Sequence, residues 1–152
     1  MAEAMLQQAL NDNTNVSVKS AGLSALVGYP ADEHAVALMQ ERGLDISGHR
    51  AQQLTPELIS ASDLILVMES GHKRAIDANE PTARGKIYRL CEWQDKDVPD
   101  PVHQPREAFE KALGLIEQGV QDWAERIPTQ APISRGTDKY KRKIQEKSTS
   151  RG

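Results

Sequence analysis

Cysteine is nearly absent: Cys91 is the only one among 152 residues. A single thiol excludes an intramolecular disulfide framework and any multi-cysteine metal site. The four histidines, His34, His49, His72 and His103, are dispersed, and no pair has H-x-x-x-H spacing. A metal site is therefore not expected. No apolar run approaches the roughly 20 residues of a membrane span. The start, Met1-Ala2-Glu3-Ala4, has neither a basic n-region nor a signal-like apolar stretch. A cytoplasmic location without a membrane span is the expectation.

What is present is enough chain for one domain with a real core. Apolar residues make up 38% and charged residues 27% of it. The net charge of −3 hides an asymmetry: residues 128–152 carry seven basic and two acidic side chains, a net +5, which leaves −8 on residues 1–127. An acidic body does not suit nucleic acid. The basic tail, residues 128–152, reads as solvated and disordered.

Along the body, apolar periodicity predicts a helix over 2–10, a second over about 31–42 closed by Gly43, and a short one opened by Thr55-Pro56. A further short helix is expected over 71–78, capped by Ser70. The last and strongest, over 105–126, carries Phe109, Ala112, Leu113, Ile116, Val120 and Trp123 on one stripe. Extended segments are expected at 16–20, 64–68 and 86–90. The run Leu64-Ile65-Leu66-Val67-Met68 is apolar throughout, as suits a parallel strand buried on both faces. Strands alternating with helices predict an α/β domain, three-layered αβα with a small parallel sheet.

The stretch Asp97-Val98-Pro99-Asp100-Pro101 follows the third strand. Its prolines fix φ and push the preceding residues towards extended backbone, so Asp100 stands in a constrained loop. Ligands of such sheets bind at the carboxyl ends of strands. A rigid carboxylate there can hold a proton over a reacting group. The alternative is a turn that only leads into the last helix.

Several pieces in order, Met1-Ala2-Glu3-Ala4-Met5-Leu6, Ser20-Ala21-Gly22-Leu23, Gly48-His49-Arg50-Ala51, Asp63-Leu64-Ile65-Leu66-Val67-Met68 and Pro99-Asp100-Pro101, resemble a bacterial low-molecular-weight protein tyrosine phosphatase. The resemblance covers residues 1–127. It implies strand order 2-1-3-4 and phosphotyrosine hydrolysis through a cysteinyl-phosphate, with no metal and no cofactor. It also implies a loop V-C-x-x-N-x-C-R-S-P after the first strand, whose thiolate attacks phosphorus and whose arginine and backbone N–H groups hold the phosphate oxygens. By this resemblance Asp100 is the general acid, Ser20 and His49 support the phosphate loop, and Leu26 and Val102 border the substrate cleft. Most relatives have an aromatic where Val102 stands. The implied partner is a phosphotyrosine protein, with bacterial tyrosine autokinases of exopolysaccharide export as the expected kind.

Met1 aligns just after the phosphate loop, so the first strand, the nucleophile and the arginine have no counterpart here. Cys91 lies in the wrong place, and six residues on stands Asp97 rather than an arginine. The expectation is an internal methionine of a longer reading frame, and an inactive 152-residue chain. With a central strand missing, unpaired backbone groups at about 1–3 kcal/mol each would burden a domain of only about 5–15 kcal/mol. Poor folding, or direct pairing of 16–20 with 64–68, would follow. Two other functions remain open: a non-catalytic relative that binds a protein partner, and, last, an arsenate reductase, which would need more cysteines.

Overall fold

The centre of the sheet is built from the far end of the chain. The computed structural model describes residues 1–11 and 15–127 and the backbone of 142–147. In chain order the elements are α1 (Ala2–Ala9), β1 (Val16–Ala21), α2 (Glu33–Glu41), α3 (Pro56–Ala61), β2 (Leu64–Val67), α4 (Ser70–Asn79), β3 (Ile87–Arg89), α5 (Arg106–Arg126) and β4 (Arg142–Lys147). A 3-10 turn, Pro81–Ala83, precedes β3. The sheet order is β1-β4-β2-β3. Every pairing is parallel, with Val18 and Leu64 both opposite Ile144 and with Ala21 and Val67 both opposite Lys147.

Two expectations are corrected here. Residues 142–147 are a strand rather than disordered tail, and β1 and β2 do not pair with each other. The remainder of 128–152 lies outside the described residues. The physical reason is that facing N–H and C=O groups of β1 and β2 need partners. Backbone pairing is indifferent to side chains, so Arg-Lys-Ile-Gln-Glu-Lys can fill the slot despite having one apolar residue.

Helices cover both faces, giving the three-layer αβα arrangement. Leu66 of β2 and Met68 just past its end join the core beneath α1, α2 and α5, while Ile65 and Val67 pack with Ile59 of α3, Ile76 of α4, Ala83 and Ile87. That alternation is why the run is apolar at every position. The α5 stripe is buried as expected at Phe109, Ala112, Leu113, Ile116, Val120 and Trp123. Local signals also hold: the Thr55 side chain accepts from Leu58 N–H at 3.2 Å, and Gly43 adopts φ +76 after α2. Helix α2 begins at Glu33, because the Asp32 carboxylate accepts from His34 N–H at 2.9 Å.

At Gly119, α5 meets the end of β3 too closely for a side chain. A Cβ there would lie 2.7 Å from Leu90 Cγ and 2.8 Å from the Leu90 carbonyl oxygen. Gly119→Ala gains about 0.8–1.0 kcal/mol of helix propensity but forces backbone apart at a cost of about 1–3 kcal/mol. A net loss of stability is expected by urea unfolding, against the trend for exposed helix positions.

Candidate active site

The carboxyl ends of the strands gather the residues singled out from sequence. Val98 N–H donates to Met68 O at 2.8 Å, which ties the loop after β3 to the end of β2. Two residues on, the half-buried Asp100 closes an Asx turn, its Oδ1 accepting from Val102 N–H at 3.0 Å. Oδ2 has no hydrogen-bond partner among the described residues. The arrangement is therefore a carboxylate with one oxygen committed to holding the turn and one available.

The loop is pinned from below by Arg89, at the end of β3. Its guanidinium reaches Glu92 at 3.4 Å, Asp97 at 3.3 Å and Asp95 at shorter range. The Asp97 carboxylate also accepts from Ser70 N–H at 3.0 Å, so it caps α4 across the fold. The expected cap by the Ser70 side chain is not what forms. Partial burial raises the Asp97 carboxyl, but the Ser70 amide and the Arg89 guanidinium outweigh it and hold it below the ordinary range. The Arg89 guanidinium is driven upward mainly by its bond to Asp95. Sequence reasoning missed Arg89. The acidic run that follows it, Glu92, Asp95 and Asp97, was the signal that a cation must stand nearby.

Ser20 is buried at the end of β1, with its carbonyl accepting from Gln52 Nε2 at 2.8 Å. The chain around 50–54 folds back over this end, with Gly22 N–H donating to Gln52 O and Leu54 N–H to Gly22 O. Because α1 packs on β1 and returns through a short connection, its first residues lie at the same edge. There His49 Nδ1 stands 3.8 Å from Glu3 Oε2. Burial lowers the His49 pKa, Glu3 opposes this, and the Met1 amino group and Arg50 add to the lowering. The pair is thus a neutral imidazole beside a carboxylate rather than a salt bridge at neutral pH. Stability contributed by keeping His49 neutral is fully present above the ordinary value of 6.5 and falls as the pH drops through it, since the unfolded imidazole takes up the proton more readily. A His49→Gln chain is expected to lose that part of the pH dependence in urea unfolding across pH.

Leu26 lies on the loop after β1 and is 43% exposed, and Val102 is half-buried. Ser20, His49 and Asp100 share the carboxyl edge of the sheet without hydrogen bonding to one another among the described residues. Cys91 is elsewhere: it is buried and its Sγ donates to Leu115 O at 3.1 Å. Burial first, then Asp122, pushes its thiol pKa up, so it is a protonated core residue and no nucleophile. Among the described residues no helix is long and apolar enough to cross a membrane.

The profile of the family described as low molecular weight phosphotyrosine protein phosphatase matches residues 1–132. A probable low molecular weight protein-tyrosine-phosphatase, EpsP, of Ralstonia solanacearum is 50% identical over 127 residues, covering 84% of this chain and 86% of that one. The structure of Vibrio vulnificus Wzb in complex with benzylphosphonate superposes with a TM-score of 0.76 at 42% identity, over 82% of this chain and 87% of that one. The YwlE arginine phosphatase from Geobacillus stearothermophilus superposes with a TM-score of 0.75 at 33% identity, over 82% and 81%. The family match over residues 1–132, with a relative 50% identical over 127 residues, places this α/β chain in the low molecular weight protein-tyrosine-phosphatase family, enzymes that hydrolyse phosphoric monoesters.

Proposed function

We propose that Asp100 is the general acid and base of phosphotyrosine hydrolysis. The supporting observation is its position: a carboxylate fixed in an Asx turn between two prolines, at the strand ends, with one oxygen uncommitted. In the reaction a thiolate forms an S–P bond as the P–O bond to tyrosine breaks, and Asp100 gives its proton to the departing tyrosyl oxygen. Asp100 then takes a proton from water as that water attacks phosphorus, which releases phosphate and the thiolate. Ser20 and His49 support the loop that holds the phosphate, and Leu26 and Val102 border the substrate. The substrate class is a phosphotyrosine protein in the cytoplasm, with a tyrosine autokinase of exopolysaccharide export as the proposed partner.

These 152 residues hold one cysteine, and it is buried and protonated. The chain alone is therefore expected to turn over no p-nitrophenyl phosphate. A chimera carrying the V-C-x-x-N-x-C-R-S-P loop and its strand ahead of Met1, and ending at residue 127 so that this strand takes the place of β4 between β1 and β2, is expected to hydrolyse phosphotyrosine peptides. Turnover by the unextended chain would refute the inactivity proposal. A chimera that folds yet leaves phosphotyrosine intact would refute the assigned function. Val102, in place of an aromatic that would flank a ring, favours one competitor strongly enough to test beside it, namely phosphoarginine.

A further inference from the structure

The slot between β1 and β2 is built for a strand unlike the one it holds. Both neighbours run parallel to β4, which pairs with all six residues of β1 and all four of β2. Position 144 lies level with Val18 and Leu64, and position 146 with Ser20 and Leu66. Val18 and Leu66 belong to the core beneath α1, α2 and α5, Leu64 packs against it, and Ser20 is buried. Positions 145 and 147 lie level with Ile65 and Val67, which belong to the core on the α3 and α4 face. On the β1 side of that face stand Lys19, which is exposed, and Ala21, which is buried. Parallel strands covered on both faces are apolar nearly throughout. The neighbour Leu64-Ile65-Leu66-Val67 obeys that rule.

The occupant does not. In Arg142-Lys143-Ile144-Gln145-Glu146-Lys147 the one apolar residue is Ile144, and Glu146 takes the position between Ser20 and Leu66. Main-chain bonds hold almost any sequence in a ladder, whereas burial of side chains separates a good occupant from a poor one. The advantage of residues 142–147 is that they belong to the same chain. Short tethers are worth an effective concentration on the order of millimolar. A strand apolar on both rows would add buried apolar surface at positions 144, 146 and 147 and give up no main-chain bond.

We propose that this slot binds an apolar strand of a separate polypeptide, parallel to β1 and β2, which displaces residues 142–147. Valine and isoleucine suit it best, because β-branched side chains pack well on a covered parallel sheet. A charged strand from outside would bury its charges without the tether that residues 142–147 enjoy. This inference stands apart from the catalytic assignment and does not depend on it.

The test uses the full 152-residue chain and a fluorescein-labelled peptide of alternating valine and isoleucine, with lysines at its amino end for solubility. Anisotropy is expected to show saturable binding. Amides of residues 142–147 should lose protection from hydrogen exchange as the peptide binds, while β1 and β2 keep theirs. Combining Gln145→Ile, Glu146→Val and Lys147→Val gives the chain a strand matched to its slot. That variant should bind the peptide at least about tenfold more weakly. With the unmodified chain, a proline in the middle of the peptide should abolish binding. The proposal is overturned by no saturable binding, by binding that leaves residues 142–147 protected, or by equal affinity in the triple variant. Equal binding of a glutamate–lysine peptide overturns it too. Sedimentation as a dimer that takes up no peptide would give the slot to residues 142–147 of a second copy, and overturns it as well.

Discussion

Removing residues 128–152 is expected to abolish cooperative unfolding. The deletion takes β4 out of the sheet, and among the described residues β4 is the strand that links β1 to the β2–β3 pair. Six residues of β1 and four of β2 lose their partners on one side. Leu66 and Val67 of β2 are fully buried, so water cannot easily replace those bonds. Each stranded amide or carbonyl costs about 1–3 kcal/mol, and several together reach the whole stability of a domain, about 5–15 kcal/mol. Ile144→Pro is a milder form of the same insult. It removes one donor and places a ring in a central strand, opposite Val18 and Leu64. Thermal melts by far-UV circular dichroism should lose their sigmoid in the deletion and shift strongly downward in the proline variant. A deletion that melts like the full chain would show that residues 142–147 do not hold the sheet together.

In the chimera that restores the phosphate loop, Asp100→Asn is expected to lower kcat by roughly 10²–10⁴-fold. The substitution keeps the side-chain oxygen that accepts from Val102 N–H, so the Asx turn survives. What disappears is the exchangeable proton. Because the leaving tyrosyl oxygen has a pKa of about 10 when free, expelling it unprotonated is the costly alternative. Substrate binding should change little, so the loss should fall on kcat more than on KM. An unchanged kcat would remove Asp100 from the chemistry.

The parts of this molecule legible in sequence are those where one local pattern decides the outcome. The β2 run is apolar because both faces are covered, and the α5 stripe is apolar because one face is. Thr55-Pro56 and Gly43 state their own geometry. The rest depends on groups far apart in the chain. Residues 142–147 have a single apolar side chain and no strand signature; only the unmet backbone demand of β1 and β2 makes them a strand. Asp97 caps α4 across 27 positions of sequence, and nothing near Ser70 announces it. Arg89 reads as one more surface cation until three carboxylates are found around it. At the site itself, the loop position of Asp100 could be read from its prolines and from the preceding strand. The meeting of His49 with Glu3 and the Met1 amino group could not, because it depends on how α1 folds back along β1.

The most direct measurement compares two esters in the chimera and in its Asp100→Asn form. A residue that protonates the leaving oxygen matters most when that oxygen is basic. The ratio of kcat values, parent to variant, is therefore expected to be much larger for phenyl phosphate than for p-nitrophenyl phosphate, whose leaving group departs readily without a proton. Equal losses on the two esters would contradict the assignment of proton transfer to Asp100.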